Sequence, residues 1–99
     1  MVSYTIVFAS IVKDELQVSY NWYEEQKLGL GEHFLMIIEG NVSSIANHPF
    51  FYPIKFSHYR EYVVAKFPYV IVFEIIEENN IIYILHVFNT NRDYKNRLK

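Results

Sequence analysis

At 99 residues the chain has room for one domain, one that buries only about 60 to 65 per cent of its unfolded surface, yet 52% of its residues are apolar and 18% aromatic, which excludes a disordered segment. The absence of cysteine excludes a disulfide framework, a thiol nucleophile and a zinc ribbon, and a net charge of −2 argues against a general nucleic-acid binder. Residues 1–10 lack a basic, then apolar, export signal, and Glu74, Glu77 and Glu78 break the longest apolar runs, so a cytoplasmic chain without membrane contact is expected.

Residues 3–9 alternate, with Tyr4, Ile6 and Phe8 on one face, as a half-buried strand does. Ser10 is the expected N-cap of a following helix, although Lys13 stands where a reciprocal capping box needs Glu or Gln. From Ile11 to about Gln26 the residues Val12, Leu16, Tyr20 and Tyr23 recur at helical spacing opposite Asp14, Glu15 and Glu24. Gly29 and Gly31 interrupt this pattern. Phe34, Ile38, Val42 and Ile45 then mark the stripe of a second helix to about Asn47, with Gly40 inside it at a cost of about 1 kcal/mol relative to Ala. The two patterns predict a helical hairpin closed by a short glycine turn.

His48-Pro49 and Tyr52-Pro53 end the second helix, because the residue before proline is pushed out of the helical region. Beyond Pro53 the apolar period becomes two, and residues 59–67, 69–76 and 81–88 read as strands joined by Pro68 and by Glu77-Glu78-Asn79-Asn80. Links this short make antiparallel neighbours. The predicted order is therefore β-α-α-β-β-β, an α+β fold with the helical hairpin packed on one face of a mainly antiparallel twisted sheet.

Both faces of the last two strands are apolar. Ile71, Phe73 and Ile75 alternate with Val70, Val72 and Ile76, while Tyr83 and Leu85 alternate with Ile82, Ile84 and Phe88. Two helices cover one face of such a sheet, so the other is expected to leave a contiguous apolar patch for a partner. A homodimer packed sheet to sheet or through an edge strand is the competing way to cover it.

Charge is divided unevenly. Residues 1–50 hold two Lys against six acids, and residues 51–99 hold seven Lys and Arg against five acids. Arg92, Lys95, Arg97 and Lys99 face only Asp93, making a basic tail that suits an acidic partner or a phosphate backbone, or else a solvated helix end. No glycine-rich phosphate loop, paired His at ligand spacing or nucleophile elbow occurs. His33, His48, His58 and His86 lie too far apart in sequence to define a zinc site, so no metal or cofactor is expected. Sheet aromatics suit base stacking, but the acidic balance argues against an RNA-binding sheet.

Several segments resemble the RelE/ParE toxin superfamily at matching places. Asn21-Trp22-Tyr23-Glu24-Glu25-Gln26, followed by Gly29-Leu30-Gly31-Glu32-His33-Phe34-Leu35, is similar to that family's helix, glycine turn and second helix. Ile45-Ala46-Asn47-His48-Pro49, then Tyr52-Pro53, resembles its helix exit, and Arg60 through Lys66-Phe67-Pro68-Tyr69 its second and third strands. His86 and Arg92-Asp93 fall where the family has a polar group near the end of the last strand and a basic residue beyond it.

The resemblance implies a toxin of a type II toxin–antitoxin pair, of the ParE-like or plasmid-stabilisation kind, neutralised by a cognate antitoxin laid across its apolar surface as an extended segment and a helix. It leaves two targets, DNA gyrase for the ParE-like branch and ribosome-bound mRNA for the ribonuclease branch. RNA cleavage by 2′-hydroxyl attack needs a base, cations about the phosphate and an acid for the leaving group. The ribonuclease branch often places an Arg just after the aromatic of the third strand, and here that position is Val70. The remaining catalytic candidates are Arg60, His86, Arg92 and Tyr94, each with a plainer reading: an exposed-face charge, a hydrogen-bonded sheet residue, a solvated cation and a packing anchor. Arg60 and Lys66, six residues apart on one predicted strand, share a face but stand about 20 Å apart. Arg60, Lys66, Val70, Val72, Arg92 and Arg97 are the expected target- or partner-binding residues, and inhibition of gyrase by binding is the preferred activity, with ribosome-dependent mRNA cleavage or a degenerate, non-toxic family member as the alternatives.

Overall fold

The computed structural model describes residues 3–91. The chain runs β1 (Thr5–Phe8), α1 (Ser10–Gln26), α2 (Leu30–Asn47), a 3-10 turn (Pro49–Phe51), β2 (Ile54–Phe56), β3 (Tyr59–Val63), β4 (Tyr69–Ile76), a second 3-10 turn (Glu77–Asn79) and β5 (Ile81–Asn89). The strands form one sheet in the order β1-β5-β4-β3-β2, with β1 parallel to β5 and the other pairs antiparallel. The α+β order predicted from the sequence is present, with a short additional edge strand at β2.

Burial follows the helical stripes. Val12 and Tyr23 of α1, and Phe34, Ile38, Val42 and Ile45 of α2, form one core with Ile71, Phe73, Ile82, Ile84 and Val87 of the sheet. The hairpin closes by two different uses of glycine. Gly29 is left-handed at φ 88, whereas a Cβ on Gly31 would stand 2.7 Å from Glu24 Cγ and 2.8 Å from the Tyr20 carbonyl oxygen. That closeness lets the Glu24 carboxylate accept the Gly31 N–H at 2.9 Å and the Gly29 N–H at 3.2 Å, satisfying amide donors at the start of α2.

Three expectations change. Ser10 is the first residue of α1 and Ala9 is its N-cap, without a side-chain bond. The Ala9 N–H is still in the sheet, donating to the Ile84 carbonyl at 2.9 Å, while its own carbonyl accepts the Val12 N–H at 3.0 Å, so the chain passes from ladder to helix without a turn. The predicted strand 59–67 ends at Val63, and Lys66 lies in the β3–β4 connection in a left-handed conformation at φ 75. Finally, the alternation along β5 is broken. Val72 pairs with His86 and Phe73 with Ile84, so Leu85 is an extra residue, a β-bulge. Ile82 and Ile84 face the helices, but past the bulge Val87 takes that face, and Phe88, which the alternation grouped with Ile82 and Ile84, lies on the other.

The bulge bears on the sheet's second face. Phe88 gathers there with Val70 and Val72, and Tyr59 and Leu85 pack against them. Val70 is 5% and Val72 2% exposed, so the expected open apolar patch on these two residues is corrected: they belong to a small second core. Large apolar side chains stay exposed at Val63, which pairs with Val70 on that face, on β1 (Phe8), on the helical hairpin (Ile11, Val18, Trp22, Leu28, Met36) and about the turn and edge strand (Phe50, Phe51, Ile54, Phe56).

Candidate partner-binding site

β1 is shorter than the strand beside it. Its ladder with β5 pairs Phe8 with Ile84 and ends with the Ala9 bond, whereas β5 continues to Asn89. Beyond Ile84 a side chain from α1 stands where the neighbouring strand would be. One carboxylate oxygen of Glu15 accepts the Val87 N–H at 2.9 Å, and the other lies 3.1 Å from His86 Nδ1. The acid and the imidazole are 71 positions apart in sequence and meet because α1 crosses the sheet next to β5.

Between α1 and this half of β5 runs a groove of about 230 Å³, lined by Ile11, Asp14, Val18 and Tyr69 as well as Val87 and Asn89. It continues into a hollow of about 180 Å³ that reaches Trp22 and Asn91 and shares Ser19, Tyr69 and Asn89 with it. At the junction the Tyr69 hydroxyl donates to Ser19 Oγ at 2.7 Å. Beneath lies Tyr23, packed at ring-centroid distances of 5.1 Å on Phe34 and 5.0 Å on Phe67. Burial, reinforced by the neighbouring Tyr69 hydroxyl, pushes its phenol up to about 12.

Among the described residues, the predicted ones do not converge. His86 stacks on Phe88 at 4.6 Å and is held by Glu15, the hydrogen-bonded sheet residue of the plainer reading. With the carboxylate on Nδ1, that nitrogen carries the proton of the neutral ring and Nε2 keeps a lone pair, an assignment made from the hydrogen-bond network. Arg60 pairs with Phe73 and His86 with Val72, so the two lie on opposite faces of the sheet. The Arg60 guanidinium donates to the carbonyls of Tyr52, at 2.6 Å, and Phe50, at 3.4 Å, and sits 5.2 Å from the Phe50 ring centroid. It clamps the turn before β2, which corrects its reading as a free charge on an exposed face. Lys66 is exposed but shares no strand with Arg60, and Val70 is buried. Arg92, Tyr94 and Arg97, with the rest of the basic tail, lie outside the described residues.

Sequence reasoning missed Glu15 as a site residue. It was legible only as part of the polar face of α1, although its place three residues after buried Val12 puts it on the flank of the helix nearest the sheet. Among the described residues no group of three or more His, Asp or Glu could hold a metal ion, and no helix is long and apolar enough to cross a membrane.

A model of the family described as the ParE toxin of the type II toxin-antitoxin system parDE matches residues 6–94. The chain belongs to the ParE toxin family. Of solved structures, a chain of the chromosomal ParDE TA system from P. aeruginosa matches this ParE-family chain with a TM-score of 0.78 at 13% identity, over 90% of this chain and 98% of that one, a likeness of fold. No curated protein matches.

Proposed function

We propose that this ParE-family chain is a cytoplasmic toxin that inhibits DNA gyrase by binding and is neutralised by a cognate antitoxin docking on its helical hairpin and sheet. The observation that carries the binding reading is the separation of the candidate catalytic groups among the described residues. His86 is engaged by Glu15, Arg60 is spent on backbone carbonyls across the sheet, and a buried Val fills the position where the ribonuclease branch often has Arg. Stabilising a phosphorane needs cations preorganised about one phosphate, and neither Arg60 nor Lys66 stands beside the imidazole. The exposed apolar flank of α1 supports docking of a protein partner.

Induction of the chain alone in cells tests this reading. Supercoiling is expected to fail before translation, and co-expression of a small protein encoded in the adjacent reading frame to restore growth. Translation failing first, with mRNA cut at the ribosome, would replace gyrase binding by ribonuclease action.

A further inference from the structure

We infer that the outer edge of β1 pairs with the same edge of a second copy of this chain, antiparallel about Val7, so that two sheets join into one across a two-fold axis. Among the described residues the sheet has two outer strands, β1 and β2, and they differ. β2 is guarded: it spans three residues, with Lys55 at its centre, Pro53 just before it and a register shift between Ile54 and Phe56. β1 is regular, residues 3–12 carry neither charge nor proline, and Val7 and Phe8 are 38% and 48% exposed. A bare edge of this kind is a template for another strand.

The bonding groups of β1 suit a copy of itself. The Thr5 N–H donates to the Asn80 carbonyl and the Ala9 N–H to the Ile84 carbonyl, both at 2.9 Å, so the odd-numbered amides face β5. The amides and carbonyls of Ile6 and Phe8 therefore face away from the sheet. With Val7 on the axis, Ile6 stands opposite Phe8 of the second copy and Phe8 opposite its Ile6, each pair exchanging both backbone bonds, and the two Val7 side chains meet. On the helix side the Phe8 ring borders an apolar cavity of about 330 Å³ between β1 and α1, lined also by Val12, Lys13 and Leu16. The second copy's Ile6 and Phe8 reach over it.

Charge sets the direction. Lys13 lies beyond the end of β1 where the chain enters α1, and Glu77 and Glu78 lie at the opposite end, just before Ile81, which pairs with Thr5. Antiparallel copies bring each Lys13 toward the Glu77-Glu78 turn of the other, whereas parallel copies set Lys13 against Lys13. A strand pair this short falls at the low end of interface sizes, below about 1,200 Å², so the dimer is weak, with a Kd of about 10–100 μM.

Sedimentation of the purified full chain from about 1 to about 500 μM, with amide hydrogen exchange at both ends of that range, tests the pairing. A monomer–dimer equilibrium is expected, with the Ile6 and Phe8 amides slowed about three- to tenfold at the high concentration and those of β2 unchanged. Val7→Lys sets two cations opposite each other and should weaken the dimer at least about tenfold, while Val7→Thr, which keeps the branched shape, should leave it within about threefold. Lys13→Glu should weaken it about threefold, and adding Glu77→Lys and Glu78→Lys should restore it. Ile54→Lys on the β2 edge should leave it unchanged, and melting curves check the fold of every variant. A chain that stays monomeric to about 500 μM, or Ile6 and Phe8 amides indifferent to concentration, would overturn the assignment. So would a dimer broken by Ile54→Lys but not by Val7→Lys, or protection of those amides only when the protein encoded in the adjacent reading frame is bound.

Discussion

Removing the Glu15 carboxylate strands the Val87 N–H, which belongs to a residue only 3% exposed, and frees the His86 ring. An unsatisfied buried donor costs about 1–3 kcal/mol, so Glu15→Ala should lower the unfolding free energy in urea by that amount. Two glycines of α2 are expected to respond with opposite sign. A methyl group on Gly40 would meet nothing within 4 Å, so Gly40→Ala should stabilise by about 0.5–1 kcal/mol, while Gly31→Ala drives a Cβ into Glu24 and Tyr20 and should lower the melting temperature. Tyr23 adds a pH dependence. Because folding raises its pKa from 10.0 to about 12, its contribution is whole below about pH 10 and is lost as pH rises through about 12, about 3 kcal/mol in full. Tyr23→Phe should flatten the decline in stability between about pH 10 and 12, and an unchanged decline would assign it to other groups.

The helical hairpin depends on one carboxylate at its turn. Glu24 caps Gly29 and Gly31, so Glu24→Ala should cost about 1 kcal/mol in urea melts, and Glu24→Gln, which keeps one acceptor oxygen, less. These elements were legible in the sequence because helical stripes and glycine turns are local: Phe34, Ile38, Val42 and Ile45 are all buried as their spacing predicts. The sheet was less so. A bulge at Leu85 inserts one residue into an otherwise regular alternation, and a phase change of one residue moves Val87 to the core and Phe88 to the other face. Strand 59–67 was overextended because Val63 and Val64 continue the apolar run, while the chain turns at Lys66. The site was the least legible part, since the Glu15–His86 pair and the Arg60 clamp are tertiary contacts and no local pattern encodes the first.

At the scale of the molecule, the second face of the sheet holds a small core of its own, and exposed apolar side chains remain on the helical hairpin, at Phe8 and Val63 and around β2. The acidic charge of the helices and the exposed apolar side chains of α1 together favour protein recognition over a phosphate backbone. Homodimerisation through the β2 edge is the competing use of the remaining exposed apolar groups, and sedimentation over a range of concentrations reads it directly. Gyrase binding is the proposed source of toxicity. Its most direct test is ATP-dependent supercoiling by purified DNA gyrase with increasing amounts of the purified chain, alongside ribosomes loaded with mRNA. Supercoiling is expected to stop while the mRNA stays intact, with His86→Ala leaving the inhibition in place; intact supercoiling with mRNA cut by the parent chain but not by a folded His86→Ala variant would overturn gyrase binding.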